Sequence, residues 1–408
     1  MHLDYTLIII MIGTLIVLNM LIKSWLEQIR VPSLVGFLLI GVFIRLFEDR
    51  YGIISPAGNE IFELFAKIGL ITLLFRVGLE SDLQGLLKQL RSASLVWIGD
   101  VVLSGLFGFI AAYYVLGVPW VTGIIVATAF TATSVGISVA VWEEANALNA
   151  PNGELLIDIA ELDDISAVVL MALLFALLPH LSQDTGSGVY LLMGKTVGIF
   201  LLKIFGFGLL CFLFSRFVEK PMTTYFKNLE PPSDFILVVV GIGFVIAALA
   251  AWMAFSLAIG AFFAGLVFSR DEEAVKREGS FMPLYELFSP FFFIGIGMHV
   301  DPAALGSALK PGAVLAAVAF AAKIMADGLP VWVMRGLSSA LLIGMSMVPR
   351  AEIAMVIMQR GLNKGAWAVP PEIFNAMVIV TILTCILAPL IVQLLLNRWP
   401  QTEEARWR

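Results

Sequence analysis

Charge is the scarcest property of this chain. Only 14% of its 408 residues are charged, whereas 60% are hydrophobic, a balance that excludes a soluble globular domain. Positive charge is scarcer still: 25 Lys and Arg face 31 Asp and Glu, for a net charge of −6, which argues against nucleic acid as a partner. Cysteine is nearly absent. Cys211 and Cys385 fall in separate apolar segments without metal-ligand spacing, so they are expected to be inert core residues. The three histidines, His2, His180 and His299, lie at the terminus or at helix ends, where a plain interfacial role is expected. Before the first apolar block there is neither a basic stretch nor a small-residue cleavage site, so that block is expected to be a retained helix and not a signal peptide.

What is present in abundance is apolar sequence in blocks of about 20 residues, the length of a helix crossing about 30 Å of hydrocarbon. Thirteen such segments are expected, at about 5–26, 31–48, 61–80, 92–117, 119–143, 154–180, 190–218, 234–252, 254–269, 284–299, 312–334, 339–361 and 373–397. The fold class is therefore an all-α polytopic membrane protein, a single membrane domain over residues 1–408. An odd number of crossings puts the termini on opposite sides. With the N-terminus outside, fourteen Lys and Arg fall in the cytoplasmic loops and tail and five outside, the bias that orients membrane proteins. Six more, Lys67, Arg76, Lys195, Lys203, Lys323 and Arg350, fall at membrane depth.

The sixth segment is apolar enough to cross a membrane yet carries Glu161-Leu-Asp-Asp164. Spacing by three places Asp158, Glu161 and Asp164 along one helix face, with Asp163 turned about 100° from Asp164. Each carboxylate at the bilayer centre costs about 2.5 to 3.5 kcal/mol on insertion scales, so such groups persist where they meet a cavity, a partner or an ion. Asp158 and Glu161 lie toward one end and are accessory acids. Asp163 and Asp164 over-supply negative charge unless something mobile balances it.

Two other segments are interrupted. The fifth contains Thr131-Ala-Thr-Ser-Val-Gly136 and the twelfth Gly344-Met-Ser-Met-Val-Pro-Arg-Ala-Glu352. Paired interruptions in the two halves of a chain point to an inverted-repeat transporter. Unwound backbone there is expected to free carbonyls for a cation and to expose helix ends whose dipoles act on it.

At this point the motifs resemble a family. Val31-Pro-Ser-Leu-Val-Gly36, Ile68-Gly-Leu-Ile-Thr-Leu-Leu-Phe75, Gly78-Leu-Glu80, Ala132-Thr-Ser-Val-Gly136, Leu162-Asp-Asp164, Gly260-Ala-Phe-Phe-Ala-Gly265, Phe291-Phe-Phe-Ile-Gly-Ile-Gly-Met298 and Pro349-Arg-Ala-Glu352 are similar, in order and nearly end to end, to the monovalent cation:proton antiporter-2 family of the sodium/proton exchanger superfamily. The resemblance implies thirteen helices, a dimerisation scaffold and an elevator-type core in which the fifth and twelfth helices cross at unwound segments. It implies a homodimer in a bacterial inner membrane and a role in pH homeostasis.

Carried over by residue, Asp164 resembles the family's essential cation and proton carrier. Asp163 occupies a position that is Asp in electrogenic sodium exchangers, and Lys323 resembles the lysine that such members pair with it. Arg350 and Glu352 resemble a charged pair in the second crossing helix that compensates half-helix ends. Two departures stand out: Arg76 replaces the usual apolar residue before Val77-Gly-Leu-Glu80, and Asp327 lies one turn beyond Lys323, within reach to compete for it. No C-terminal dinucleotide-binding domain is expected after Arg408.

The expected activity is secondary active sodium(lithium)/proton antiport by alternating access at a two-aspartate site. A carboxylate withdrawn from water beside a second one holds its proton nearer neutrality than a free acid does, so one site can exchange protons for a cation. Asp163 and Asp164 would hold Na⁺ or Li⁺ with oxygens from Thr131, Thr133 or Ser134, since hard cations prefer oxygen ligands. Lys323 would pair with Asp163 in the sodium-free site. No enzymatic step and no cofactor is expected. A potassium/proton antiporter of the glutathione-gated efflux type is the alternative; a cation channel, whose charges would line a pore in rings, fits less well.

Overall fold

Apolar runs this long have one compatible backbone solution in lipid, because a helix satisfies its own N–H and C=O groups. The computed structural model describes residues 2–29, 31–52, 54–80, 83–181, 189–227, 235–253, 255–269 and 278–401, and its regular structure among them is entirely helical. In chain order the helices are α1 His2–Gln28, α2 Ser33–Tyr51, α3 Pro56–Glu80, α4 Leu83–Ile110, α5 Trp120–Thr131, α6 Gly136–Glu144, α7 Pro151–Leu181, α8 Val189–Leu213, α9 Lys220–Lys227, α10 Phe235–Trp252, α11 Leu257–Phe268, α12 Glu278–Met298, α13 Leu305–Ala326, α14 Gly328–Arg335, α15 Leu337–Ser346, α16 Glu352–Leu362 and α17 Pro371–Arg398. Single π-helical turns, Ala111–Val115 and Phe214–Glu219, extend α4 and α8.

Each of the thirteen expected segments falls on helix, and eight spans are long and apolar enough to cross a membrane: Ile8–Gln28, Ala93–Val115, Trp120–Glu144, Pro151–Leu181, Gly194–Phe226, Phe281–Met298, Pro302–Arg335 and Pro371–Arg398. The remaining segments fall short for local reasons. Charged groups such as Arg45, Asp49, Glu63 and Lys67 dilute α2 and α3, while α10, α11 and α15 are short.

Three interruptions shape the fold. Helix α5 stops where Ala132 turns extended (φ −74°, ψ 140°), and α6 resumes at Gly136. Helix α15 stops ahead of Pro349, whose ring disfavours helical backbone in the preceding residue, and α16 resumes after Ala351 (φ −137°, ψ −98°). The third interruption departs from the sequence-based expectation. The lysine-bearing segment, expected as one helix over 312–334, is two, α13 and α14, meeting at Asp327. Pro330 is the cause: lacking an N–H, it cannot bond the carbonyl of Ala326, and it is tolerated in the first turn of a new helix.

The chain forms two compact units. The first comprises Met1–Asn19, Gly52–Leu83 and Ala172–Gly295; the second comprises Met20–Tyr51, Gln84–Met171 and Ile296–Arg408. Within the first, Phe75, Leu79, Phe207, Val239, Val267, Phe268 and Phe281 form the core. Helices α3 and α11 touch backbone to backbone there, since a Cβ on Gly78 would strike the Phe262 carbonyl and one on Gly265 the Phe75 carbonyl. The unusual Arg76 is accommodated in this unit by Glu80 one turn on, at 2.6 Å, and by the Tyr285 ring 4.7 Å beneath its guanidinium.

The second unit packs around Trp142, Leu155, Leu156, Ile159, Leu342, Ile343, Met347 and Val348. Its element order repeats a pattern: a long helix, a broken helix and another long helix, first as α4, α5/α6 and α7, then as α13/α14, α15/α16 and α17. Both breaks and every acid and base of the candidate site belong to this unit.

Candidate functional site

The two breaks meet. The Ser134 amide donates to the Pro349 carbonyl at 2.9 Å, joining the unwound backbone of one broken helix to that of the other. Outside the breaks, the Trp142 indole on α6 donates to the Ser346 hydroxyl on α15 at 2.8 Å, with both side chains buried. Helix α17 grips the second break: the Arg350 amide donates to Thr384 at 3.1 Å, and the Cys385 thiol donates to the Arg350 carbonyl at 3.6 Å. Cys385, expected to be inert filling, thus takes part in holding the crossing.

An interrupted helix leaves carbonyls unpaired at its C-terminal end, with the negative pole of its dipole there. At the end of α5 those carbonyls are already taken. The fully buried Arg350 guanidinium donates to the Phe130 and Ala132 carbonyls and lies 5.1 Å over the Phe130 ring, while the Lys323 ammonium reaches the Thr131 carbonyl at 3.5 Å. Fixed cations thus occupy the Phe130, Thr131 and Ala132 carbonyls at this break. Glu352, the first residue of α16, supplies the opposite charge at a half-helix N-terminus, where a carboxylate is favourable.

Lys323 is fully buried, and beside the expected partner, Asp163, it has a second one. Its ammonium is bonded most closely by Asp100 of α4, with Asp163 of α7 at 3.8 Å. Asp100, also fully buried, is anchored by the Ser104 hydroxyl at 2.6 Å one turn along α4. Sequence reasoning missed it. The available signal was a lone acid in the apolar span Ala93–Val115, and an isolated intramembrane acid is itself a functional pointer. Helices α4 and α7 are registered beside it by Trp97, whose indole donates to Ser166 at 2.9 Å, while the Ser166 hydroxyl donates to the Asp163 carbonyl. Asp327 is fully buried too, but among the described residues Lys323 forms ion pairs with Asp100 and Asp163, not with Asp327.

Around this cluster lie oxygens with no fixed donor. Neither carboxylate oxygen of Asp163 has a hydrogen-bond partner among the described residues, nor does the buried hydroxyl of Thr133. Ser134 is buried beside Thr133. The Thr131 hydroxyl donates back to the Thr128 carbonyl at 2.8 Å, leaving its oxygen lone pairs for other partners. Asp164 and Glu161 are half-buried on α7, and Asp158 is buried. Three fully buried carboxylates, Asp100, Asp163 and Asp327, thus share two fully buried cations, Lys323 and Arg350. With all five ionised the cluster lacks one positive charge.

Comparison with known proteins identifies the family and the fold. A family model described as "Sodium/hydrogen exchanger, transmembrane" matches residues 10–398. The chain is 28% identical over 88% of its length, and 76% of the relative's, to the high-affinity Na(+)/H(+) antiporter NhaS3 of Synechocystis sp.. It is also 28% identical to the Na(+)/H(+) antiporter of Enterococcus hirae, covering 90% of this chain and 92% of that one. Among solved structures, the sodium proton antiporter MjNhaP1 from Methanocaldococcus jannaschii superposes with a TM-score of 0.69 over 98% of both chains at 18% identity, a likeness of fold. With the match running nearly end to end, the chain belongs to the sodium/hydrogen exchanger family of multi-pass membrane transporters, proteins that move ions and are not enzymes.

Proposed function

We propose that this protein is a secondary active sodium(lithium)/proton antiporter that exchanges a cytoplasmic monovalent cation for external protons at Asp163 and Asp164. One observation carries the reading: a buried cluster short of one positive charge contains carboxylate oxygens that lack hydrogen-bond donors, both on Asp163 and both on Asp327, and the buried Thr133 hydroxyl lacks a partner as well. A bare carboxylate buried without a donor is costly; a monovalent cation or a proton removes that cost, and the two exclude each other. The names of the two relatives, both Na(+)/H(+) antiporters, favour sodium as the cation.

In the cation-bound state, half-buried Asp164 receives the ion from water and Asp163 shares it, with Thr133 and Ser134 oxygens completing an oxygen shell. When protons enter from the opposite side, both carboxylates become neutral and the ion leaves. Two protons against one monovalent cation move net charge, so the exchange is electrogenic and responds to voltage at about 2.3 kcal/mol per charge per 100 mV. Arg350 and Glu352 hold the crossing together while it moves. Alternating access follows from motion of an elevator-type core built on inverted repeats against a dimerisation scaffold; the N-terminus faces outward in a bacterial inner membrane.

Reconstituted liposomes test this directly. Proton flux is followed after Na⁺, Li⁺ and K⁺ pulses under a clamped potential, for the wild type and for Asp164→Asn. Flux with Na⁺ and Li⁺ that vanishes in the variant and follows voltage is expected. Flux with K⁺ alone moves the protein to the potassium class, and flux that survives Asp164→Asn removes the aspartate from the site.

A further inference from the structure

We infer that Asp100 is a positioning residue for ion binding: it takes the closer contact with the Lys323 ammonium, so that Lys323 meets Asp163 only at 3.8 Å and the transported cation can displace it there. This rests on the sodium-binding reading of Asp163 and Asp164 given above.

The geometry has three parts. Lys323 has two acids within reach, and Asp100 is the closer, with Asp163 at 3.8 Å. Asp100 is in turn fixed at its other oxygen by Ser104, whereas both Asp163 oxygens lack hydrogen-bond donors among the described residues. Lastly, α4 approaches α13 closely at this level. A Cβ on Gly99 would lie 3.0 Å from the Ala326 carbonyl, the same carbonyl that Pro330 leaves without its helical donor. Backbone contact beside Asp100 and Lys323 sets their distance and does not depend on flexible side chains.

Five charged groups meet in this dry space: Asp100 from α4, Asp163 from α7, Lys323 from α13, Asp327 at the α13/α14 junction and Arg350 from the second break. Arg350 donates through Nη1 to the α5 carbonyls, and among the described residues the cation in an ion pair with Asp163 is Lys323, which is therefore placed to compete with sodium for it. An ammonium close to a carboxylate in low dielectric is a strong competitor for it. Asp100 weakens that competition without removing the charge, because the ammonium stays within 4 Å and still offsets part of the buried negative charge. Asp100 also stands in the first long helix of the repeated order, α4, as Lys323 stands in its counterpart, α13. The pair therefore clasps one half of the unit to the other at the level where the two breaks meet.

Equilibrium binding of ²²Na⁺ to purified, detergent-solubilised protein tests the inference without requiring turnover. Asp100→Asn frees Lys323 to settle on Asp163, and sodium affinity is expected to fall about tenfold, the scale of a typical coupling between sites. Adding Lys323→Met to Asp100→Asn removes the competing ammonium and restores affinity to near the wild-type level. The double variant exchanges a buried ion pair for neutral groups, a change often tolerated. Should Asp100→Asn alone not fold, Ser104→Ala loosens the Asp100 anchor more gently, and about a threefold loss of affinity is expected from one weakened hydrogen bond. Wild-type affinity in the folded Asp100→Asn protein, or in Ser104→Ala where Asp100→Asn does not fold, overturns the inference. So does a double variant as weak as Asp100→Asn. If the wild type binds no sodium, or Asp164→Asn binds it unchanged, the underlying site assignment fails instead, which separates the two.

Discussion

Asp163 and Asp164 are neighbours in sequence and opposites in setting. Asp163 is fully buried against a lysine, whereas Asp164 is half-buried, a division suited to one acid that meets the ion and another that retains it. Arg350 has a different task. Its guanidinium answers two main-chain carbonyls at the α5 terminus, so Arg350→Gln should leave them unsatisfied in a dry interior and cost about 3 to 5 kcal/mol, read as a lower unfolding temperature in detergent. Arg350→Lys should fall between, because an ammonium can keep the bonds that the one nitrogen Nη1 makes to both carbonyls but not the planar face laid over the Phe130 ring; equal stability of Lys and Arg variants would show that charge alone suffices. Asp163, Asp164, Lys323 and Arg350 are legible in the sequence because a charge in an apolar run stands out. Which acid holds the lysine is not legible: Asp100 precedes Lys323 by 223 residues, and their contact depends on how two helices are set against each other.

At the scale of elements, the apolar runs place the helices well, and the two breaks at 132–135 and 347–351 fall where Thr-Ser-Val-Gly and Val-Pro-Arg predict them. The division of α13 from α14 is missed because Pro330 lies within an otherwise continuous apolar segment, and a proline there signals a kink or a new helix equally well. Its structural consequence is the buried Ala326 carbonyl facing Gly99, without the helical donor that residue 330 would otherwise supply. Gly99→Val should force α4 away from α13, costing about 1 to 3 kcal/mol as overpacking does, and should weaken sodium binding in parallel because Asp100 moves with its helix. Differential scanning fluorimetry with sodium titration separates the two effects; a destabilised variant with unchanged affinity would detach the close approach from the site. Trp142→Phe removes the α6 to α15 hydrogen bond while keeping the ring. Its expected cost is about 1 to 3 kcal/mol, since the buried Ser346 hydroxyl loses its donor, and sodium affinity should hold because no site oxygen is touched.

For the molecule as a whole, the decisive quantity is the charge of the buried cluster. Asp100, Asp163 and Asp327 exceed Lys323 and Arg350 by one, so in the proposed reading the cluster is completed by the monovalent charge it holds. In the proposed exchange protons fill that role at low pH and the cation at high pH, because both seek the same oxygens. Stability should therefore depend on sodium in a pH-dependent way. A ligand that binds only the folded state stabilises it by about 2.7 kcal/mol at a hundred times its dissociation constant. Raising the pH removes the competing protons and lowers that constant, so the upward shift in unfolding temperature caused by Na⁺ or Li⁺ should grow from acidic to alkaline pH. Choline at equal ionic strength should produce no such shift, since it cannot enter an oxygen shell built for a bare ion. Asp164→Asn should abolish the sodium-induced shift at every pH while remaining folded. A shift of the same size at acidic and alkaline pH would mean that cation and proton bind independently, and a shared-site exchange would then have no physical basis in this cluster.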